Sequence, residues 1–174
     1  MGSNVVNRVM AGTLLLGGLL LAGRDGVLAQ AALPSKGGEV SPRENVFGLG
    51  LFGGATSGIG LSFRHHLPAR FSYQVTGGII KVSDKISSAV GLELQFDISR
   101  KQSNRYFIAL GGGYYYSGTS EKNEMKAPGR FGVGVGGEVQ LSAEFHVSGD
   151  LLFTYFTDGT VLPLPQVGIF YYFY

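Results

Sequence analysis

An alternation of apolar residues with polar or very small ones runs through most of the chain, from Glu44 to Tyr174. In residues 90–98, for example, Val, Leu, Leu, Phe and Ile alternate with Gly, Glu, Gln and Asp. Successive side chains of a β-strand point to opposite faces, so a period of two predicts strands with one apolar face each. No stretch of this region has sustained helical spacing, and the chain is therefore predicted to be all-β.

Turn-forming residues divide the alternating region into eight runs. These runs are residues 45–53, 58–66, 70–81, 87–98, 105–117, 130–141, 145–157 and 165–174. The connections between them are too short for a crossover helix, so neighbouring strands must be antiparallel. A meander of this kind has two unpaired edges, and closure removes both of them. The prediction is an eight-stranded antiparallel up-and-down β-barrel that crosses a membrane, for the reasons that follow.

The balance of apolar and charged residues decides which face of the barrel is apolar. Only 15% of the chain is charged and 44% is hydrophobic, which is too little charge to coat a soluble barrel. The larger apolar residues are therefore predicted to face lipid, and the Gly, Ser and polar residues to face the lumen. A secreted soluble barrel or sandwich is the alternative. Aromatic residues near strand ends are predicted to form interfacial girdles: Phe47, Phe52, Phe63, Phe71, Tyr73, Tyr106, Tyr114, Tyr116, Phe131, Phe145, Tyr155 and Tyr172.

The N-terminal segment differs from the rest of the chain. Arg8 precedes an apolar run from Val9 to Ala22, which is shorter than the roughly 20 residues of a membrane helix. Small residues at Ala29 and Ala31 are typical of a signal-peptide cleavage site, and an uncleaved anchor is the alternative. The predicted organisation is a cleaved signal peptide over residues 1–31, a flexible segment over residues 32–43 and an outer-membrane β-barrel over residues 44–174.

Charge and residue usage exclude several classes of function. The 14 Lys and Arg nearly balance the 12 Asp and Glu, so no nucleic-acid binding is expected. The absence of cysteine excludes disulfides, cysteine-based metal sites and a cysteine nucleophile. The adjacent histidines His65 and His66 are expected to point to opposite faces of a strand, so they do not form a metal site. No metal and no other cofactor is expected.

The chain resembles the small eight-stranded outer-membrane β-barrel proteins of Gram-negative-type bacteria, a porin-like family. It shares their signal peptide, strand number and aromatic C-terminus, here residues 168–174. The resemblance implies that Phe170, Tyr172 and Tyr174 form the signal read by the outer-membrane assembly machinery, although the family usually ends in Phe. It also implies a bacterial outer-membrane location among membrane lipids, and we expect a monomer. Periplasmic turns are then expected at residues 67–69, 99–104 and 142–144, and the longest outer loops at residues 118–129 and 158–164.

Charged inward positions are concentrated towards the expected periplasmic end of the lumen. Both signs occur in comparable number, and they are predicted to pair because an isolated buried charge costs several kcal/mol. The predicted result is a salt-bridged plug, with a proton- or ion-responsive gate at His66 or His146 as the alternative. The cluster consists of Arg64, His66, Glu93, Asp97, Arg105, Glu138, His146 and Asp150.

Glycines are concentrated at the inward positions of the other half of the lumen. The missing side chains suggest a pocket for an acyl chain or another small apolar ligand. The alternative, which we favour, is that glycine serves strand bending and close packing. The candidate pocket residues are Gly58, Gly60, Gly91, Gly111, Gly113, Gly132, Gly134 and Gly136.

One short motif suggests catalysis. His146-Val147-Ser148 is similar to the His-x-Ser pair of barrel-shaped lipid A deacylases, but Gly149 stands where that family usually has Asn. The pair directly follows an expected periplasmic turn, and the last strand supplies no acid, so we expect no catalytic residues. The chain is predicted to be a non-enzymatic outer-membrane barrel with a structural or surface-interaction role. A narrow channel or carrier for small apolar molecules is the alternative, and a lipid A-modifying hydrolase is a weaker one.

Overall fold

The structure is a computed structural model that describes residues 45–82, 84–101, 103–119 and 122–174. The predicted signal peptide and the flexible segment before the barrel lie outside the described residues. Among the described residues, no helix is long and apolar enough to cross a membrane.

Nine strands follow one another along the described chain. They are β1 (Val46–Gly54), β2 (Gly58–His66), β3 (Phe71–Val82), β4 (Lys85–Arg100), β5 (Asn104–Thr119), β6 (Lys122–Asn123), β7 (Gly129–Gln140), β8 (Phe145–Phe156) and β9 (Val161–Phe173). The short strand β6 pairs only with the end of β5. The other eight correspond to the eight predicted runs, and the all-β prediction is confirmed.

The barrel is closed by antiparallel pairing between the first and last strands. Phe47 lies opposite Phe173, and Gly54 lies opposite Gln166. Each of the eight barrel strands otherwise pairs with the barrel strands before and after it in the chain. Pairing of β4 with β5 completes the closed circle. Below, the lower end of the barrel is the end at Val46 and Phe173, and the upper end is the end at the β1–β2 turn.

The two faces of the wall have opposite character. Polar residues such as Gln74, Glu93 and Thr154 are fully buried inside, whereas Leu61 and Ile169 are 74% and 54% exposed outside. An apolar exterior around a polar interior is the arrangement of a barrel surrounded by lipid. The placement of the larger apolar residues on the outer face is therefore confirmed.

Two of the predicted girdle residues point inwards instead. Phe52 and Tyr172 are 3% and 1% exposed and pack in one buried cluster with Val46 and Phe170. For Tyr172 the reason is that both faces of β9 are apolar, so alternation alone does not set its orientation. Phe52 fills space that glycines leave beside it, since Gly54 and Gly168 both approach its ring.

The last strand is longer than predicted. Residues Val161–Leu164, expected to belong to an outer loop, pair with β8, and Tyr155 lies opposite Val161. This strand contains Pro163 and Pro165, and proline is tolerated in a strand where its missing N–H faces no partner. The β8–β9 connection is therefore a short turn, residues 157–160.

The strands are unequal in length, and this leaves a gap in the upper wall. Strands β1 and β2 have 9 residues each, whereas β4 and β5 have 16. Pairing of β2 with β3 ends at Leu61 and Gly77, and pairing of β1 with β9 ends at Gly54 and Gln166. We call the gap above the β1–β2 hairpin, between residues 79–81 of β3 and residues 161–165 of β9, the notch.

The β1–β2 turn does not extend outwards but bends into the barrel. We call residues 55–57 the inner turn, and its Thr56 and Ser57 are 0% and 1% exposed. Gly58 and Gly60, which follow the turn, have φ values of +100° and +137°, a backbone conformation that favours glycine. These two residues let β2 leave the plane of the wall.

Candidate functional site in the lumen

Four charged side chains from four strands form a buried ion-pair network in the lower lumen. Arg64 Nη1 lies 2.5 Å from Glu138 Oε2, and Arg105 Nη2 lies 3.0 Å from the same oxygen. Arg105 Nη1 also lies 2.8 Å from Asp97 Oδ1. Each of these side chains is an inward member of the alternation on its own strand, so barrel closure brings them together. Removing one partner from such a buried network is strongly destabilising.

The two inward histidines belong to the same network. His146 Nδ1 lies 2.8 Å from Glu138 Oε1, while His66 Nε2 lies 2.8 Å from the hydroxyl of Tyr172. The Tyr172 hydroxyl donates to Glu138 Oε2 at 3.1 Å. Glu138 is thus the centre of the network, with Arg64, Arg105, His146 and Tyr172 around one carboxylate.

The remaining two predicted cluster residues lie above this network and have no ion-pair partner among the described residues. Gln166 Nε2 donates to Glu93 Oε2 at 3.0 Å and to Asp150 Oδ1 at 2.8 Å. Gln95 connects the two levels, since it donates to Glu93 and accepts from Arg105. The structure therefore places six predicted residues in one network of ion pairs and hydrogen bonds, and two in a second, amide-bridged layer.

Four uncharged side chains complete these layers. Three of them were not among the predicted site residues, and the fourth, Tyr172, was predicted for the assembly signal and the aromatic girdle but not for the lumen cluster. Gln74 accepts from Arg64 Nε at 2.9 Å, and Gln95, Gln166 and Tyr172 make the contacts described above. Gln74 and Gln95 occupy polar positions of the alternation, so their inward direction was readable from the sequence. Gln166 and Tyr172 lie on β9, where apolar residues on both faces hide the direction.

The upper lumen is occupied by the inner turn. Gln166 Oε1 accepts hydrogen bonds from the backbone N–H groups of Thr56 at 3.1 Å and Ser57 at 3.0 Å. The two hydroxyls of Thr56 and Thr154 lie 2.5 Å apart. Side chains from β8 and β9 thus satisfy the backbone and the hydroxyl group that the turn brings inside.

Two further side chains hold the turn from the opposite wall. The Tyr115 hydroxyl accepts the N–H of Gly58 at 2.9 Å and donates to the carbonyl of Gly54. Arg130 Nη1 donates to the carbonyl of Ala55 at 2.7 Å, and its guanidinium lies 3.9 Å from the ring centre of Tyr115.

The glycines of the candidate pocket lie against other groups, as expected for close packing, the alternative that we favoured over an open pocket. A Cβ on Gly91 would overlap the backbone of Ser57, and one on Gly113 would lie 2.5 Å from the carbonyl oxygen of Thr56. Other candidate glycines adjoin side chains or neighbouring strands: Gly111 adjoins Ser57 Oγ, Gly132 adjoins Thr56 Cγ2 and Thr154, Gly136 adjoins the Phe107 ring, Gly58 adjoins Thr76 and Gly91, and Gly60 and Gly134 adjoin the backbones of β3 and β8. The glycines serve close packing.

The His-x-Ser pair lies in the closed lower lumen. Ser148 is fully buried, and its Oγ accepts a hydrogen bond from Arg64 Nη2 at 3.1 Å. His146 is also fully buried and is oriented by Glu138. Among the residues that the structure describes, no group of three or more His, Cys, Asp or Glu side chains could hold a metal ion.

The C-terminal aromatic residues divide between the two faces of β9. Phe170 and Tyr172 are buried in the lumen, whereas Tyr174 is 69% exposed. The aromatic side chains on the outer face of β9 are those of Tyr171 and Phe173. The assembly signal at Phe170, Tyr172 and Tyr174 stays a prediction.

Comparisons with known proteins give one structural similarity. No family model and no curated protein matches the chain. The fold is similar to that of Ail, the attachment invasion locus protein of Yersinia pestis. The identity is 12%, the match covers 75% of this chain and 100% of that chain, and the TM-score is 0.43. A similarity of this size carries no inference about function.

Proposed function

We propose that this chain is a non-enzymatic β-barrel protein of a bacterial outer membrane, with a structural or surface-interaction role and a lumen closed in both halves. The observation that carries the proposal is the double closure. Charged side chains fill the lower lumen, and a turn of backbone fills the upper lumen.

The outer-membrane location is supported by the exterior of the barrel and by the predicted signal peptide. Large apolar side chains cover the outer face on all eight barrel strands, which water would not tolerate but lipid does. We place the lower end in the periplasm and the notch at the outer surface. The partners expected from this location are membrane lipids and the outer-membrane assembly machinery.

The burial and hydrogen bonding of the His-x-Ser pair support the absence of an enzymatic role. A nucleophilic serine needs a nearby base and room for a substrate carbonyl. Ser148 instead accepts a hydrogen bond from Arg64, and both members of the pair are fully buried among charged partners. A substrate would have to displace the ion-pair network to reach either residue.

Planar-bilayer recording of the purified protein tests the double closure. We expect no steady openings from the wild-type barrel. We also expect none from Arg64→Ala or Gln166→Ala alone, because each single variant leaves the other half of the lumen filled. The double variant removes a side chain from each closure and is expected to give transient openings. Gly149→Ala, on the outer face, is the control. Steady wild-type openings would overturn the proposal.

Cysteine labelling of intact cells tests the orientation. The chain has no cysteine, so single cysteines report unambiguously. We expect an impermeant maleimide to label Lys85→Cys at the upper end in intact cells, and Ala143→Cys at the lower end only after the outer membrane is opened. The reverse pattern would mean that the barrel is inserted the other way round.

A further inference from the structure

The notch exposes two strand edges that have lost their neighbour, and they differ in chemistry. Backbone polar groups alternate sides along a strand. The carbonyl of Phe71 accepts from Leu67 on the β2 side, while that of Arg70 accepts from Asp97 on the β4 side. Odd-numbered residues of β3 therefore direct their N–H and C=O groups towards β2 or, higher up, towards the notch. Among the described residues, no strand pairs with Ile79 or Lys81 on this side.

The opposite edge of the notch is blocked by proline. The N–H of Tyr172 donates to Glu144 on the β8 side, so even-numbered residues of β9 face β8 and odd-numbered ones face β1 or the notch. Pro163 and Pro165 are odd-numbered, and each lacks the N–H that an added strand would need. Proline on an exposed edge commonly prevents unwanted strand pairing. The β3 edge has no proline.

The open edge also carries the most exposed large apolar residue that the structure describes. Ile79 is 78% exposed and Ile80 is 62% exposed. A groove of about 720 Å³ begins at this edge, between Leu61 and Ile79, and extends over Gly77 and Ser88 to Tyr114 and Tyr116. The near end of this groove, at Leu61 and Ile79, adjoins the position that an added strand would take.

We propose that residues 79–81 of β3 are a docking edge for an extended peptide segment of another protein, which binds as an added β-strand. Backbone groups of Ile79 and Lys81 supply the hydrogen bonds, and Leu61 and Ile79, at the near end of the groove, contact alternate apolar side chains of the peptide. Lys81 lies on the same face above Ile79 and has no ion-pair partner among the described residues, so the peptide carries a carboxylate opposite it.

A second copy in the same membrane is a poorer occupant. Strands of membrane barrels tilt by about 35–45°, so a two-fold axis along the membrane normal would cross two β3 strands at about 70–90°. Strands crossing at that angle cannot form a ladder. A free peptide can align with the edge, and pairing there also satisfies backbone groups close to lipid, where unpaired ones are costly.

Peptide binding to the barrel in phosphatidylcholine nanodiscs tests the docking edge. The probes are fluorescent peptides of about ten residues with alternating valine and threonine and one glutamate, placed at different positions. We expect at least one peptide to bind. Ile79→Pro is expected to weaken the affinity of that peptide about tenfold or more, because the substitution removes a hydrogen-bond donor from the edge. Ile79→Val keeps the N–H and is expected to bind normally. Gel mobility of heated and unheated samples reports whether each variant is folded.

A charge exchange keeps the test independent of the proline variant. Lys81→Glu is expected to weaken binding of the glutamate peptide and to strengthen binding of the same peptide with lysine in place of glutamate. Binding that neither Ile79→Pro nor Lys81→Glu changes, or no binding by any probe, would overturn the docking edge. Because the inference relies on the proposed orientation, the labelling of Lys85→Cys distinguishes failure of the docking edge from failure of the proposed function. If residue 85 is labelled in intact cells but no peptide binds, only the docking edge is rejected.

Discussion

The two halves of the lumen are closed by different means. In the lower half, side chains from the strands meet at Glu138, and the wall is continuous, with a register shift between Asp97 and Ser99 of β4. In the upper half, the wall is shortened by one hairpin, and the backbone of the inner turn enters the space between inward glycines. Closure by side chains depends on charge compensation, whereas closure by backbone depends on the absence of Cβ atoms. The two mechanisms respond to different substitutions.

The largest effect is expected from breaking the charge compensation in the lower half. Glu138→Gln leaves the buried Arg64 without its carboxylate and Arg105 with Asp97 alone, which should lower the free energy of unfolding by about 3–5 kcal/mol. Glu124→Gln is the matched control, because Glu124 pairs with Lys85 at the surface and such pairs contribute about 0–1 kcal/mol. Urea unfolding in lipid vesicles measures both. Equal losses for the two variants would show that the buried network contributes nothing special.

An intermediate effect is expected from adding side-chain atoms in the upper half. Gly91→Ala places a Cβ against the backbone of Ser57, and overpacking of this kind costs about 1–3 kcal/mol. Gly149→Ala adds the same atom on the outer face, 3.7 Å from the carbonyl of Gln166, and should be nearly neutral. If the same unfolding assay gives the two variants equal stability, the space beside Gly91 is empty and the glycine pocket must be reconsidered.

A smaller or comparable effect is expected from removing an anchor of the inner turn. Gln166→Ala leaves the N–H groups of Thr56 and Ser57 without their acceptor, at a cost of about 1–3 kcal/mol. Faster amide exchange at these two residues should accompany the loss, while exchange in the lower strands is unchanged. Tyr115→Phe, which removes one hydroxyl, should increase exchange at Gly58 instead. Uniform exchange changes throughout the barrel would contradict a local anchoring role.

The sequence was informative where the alternation is clean. Arg64, Asp97 and Glu138 lie on strands with one polar and one apolar face, so their inward direction and their meeting in a narrow barrel could be predicted. The same reasoning failed on β9, because Phe170 and Tyr171 are equally apolar and only the register with β1 shows which one is inside.

The contents of the upper half of the lumen could not be predicted. A glycine shows that a side chain is absent but not which group occupies the space. Gly91 and Gly111 fit an empty pocket as well as a backbone packed against them. The inner turn, Ala55-Thr56-Ser57, has an ordinary turn composition, and its inward path depends on partners such as Gln166 and Tyr115 that are distant in the chain.

The most direct test of the account is a disulfide between the inner turn and the opposite wall. A Cβ on Gly111 would lie 3.5 Å from Ser57 Cβ, within the range of about 3.5–4.5 Å that a disulfide requires. Mild oxidation of the double variant Ser57→Cys/Gly111→Cys should form the bond, as mass spectrometry of the digested protein would show. The pair Ser57→Cys/Gly149→Cys, with the second residue on the outer face, should not form it. Free thiols at both 57 and 111 that react with an impermeant maleimide would show that the turn lies outside the lumen.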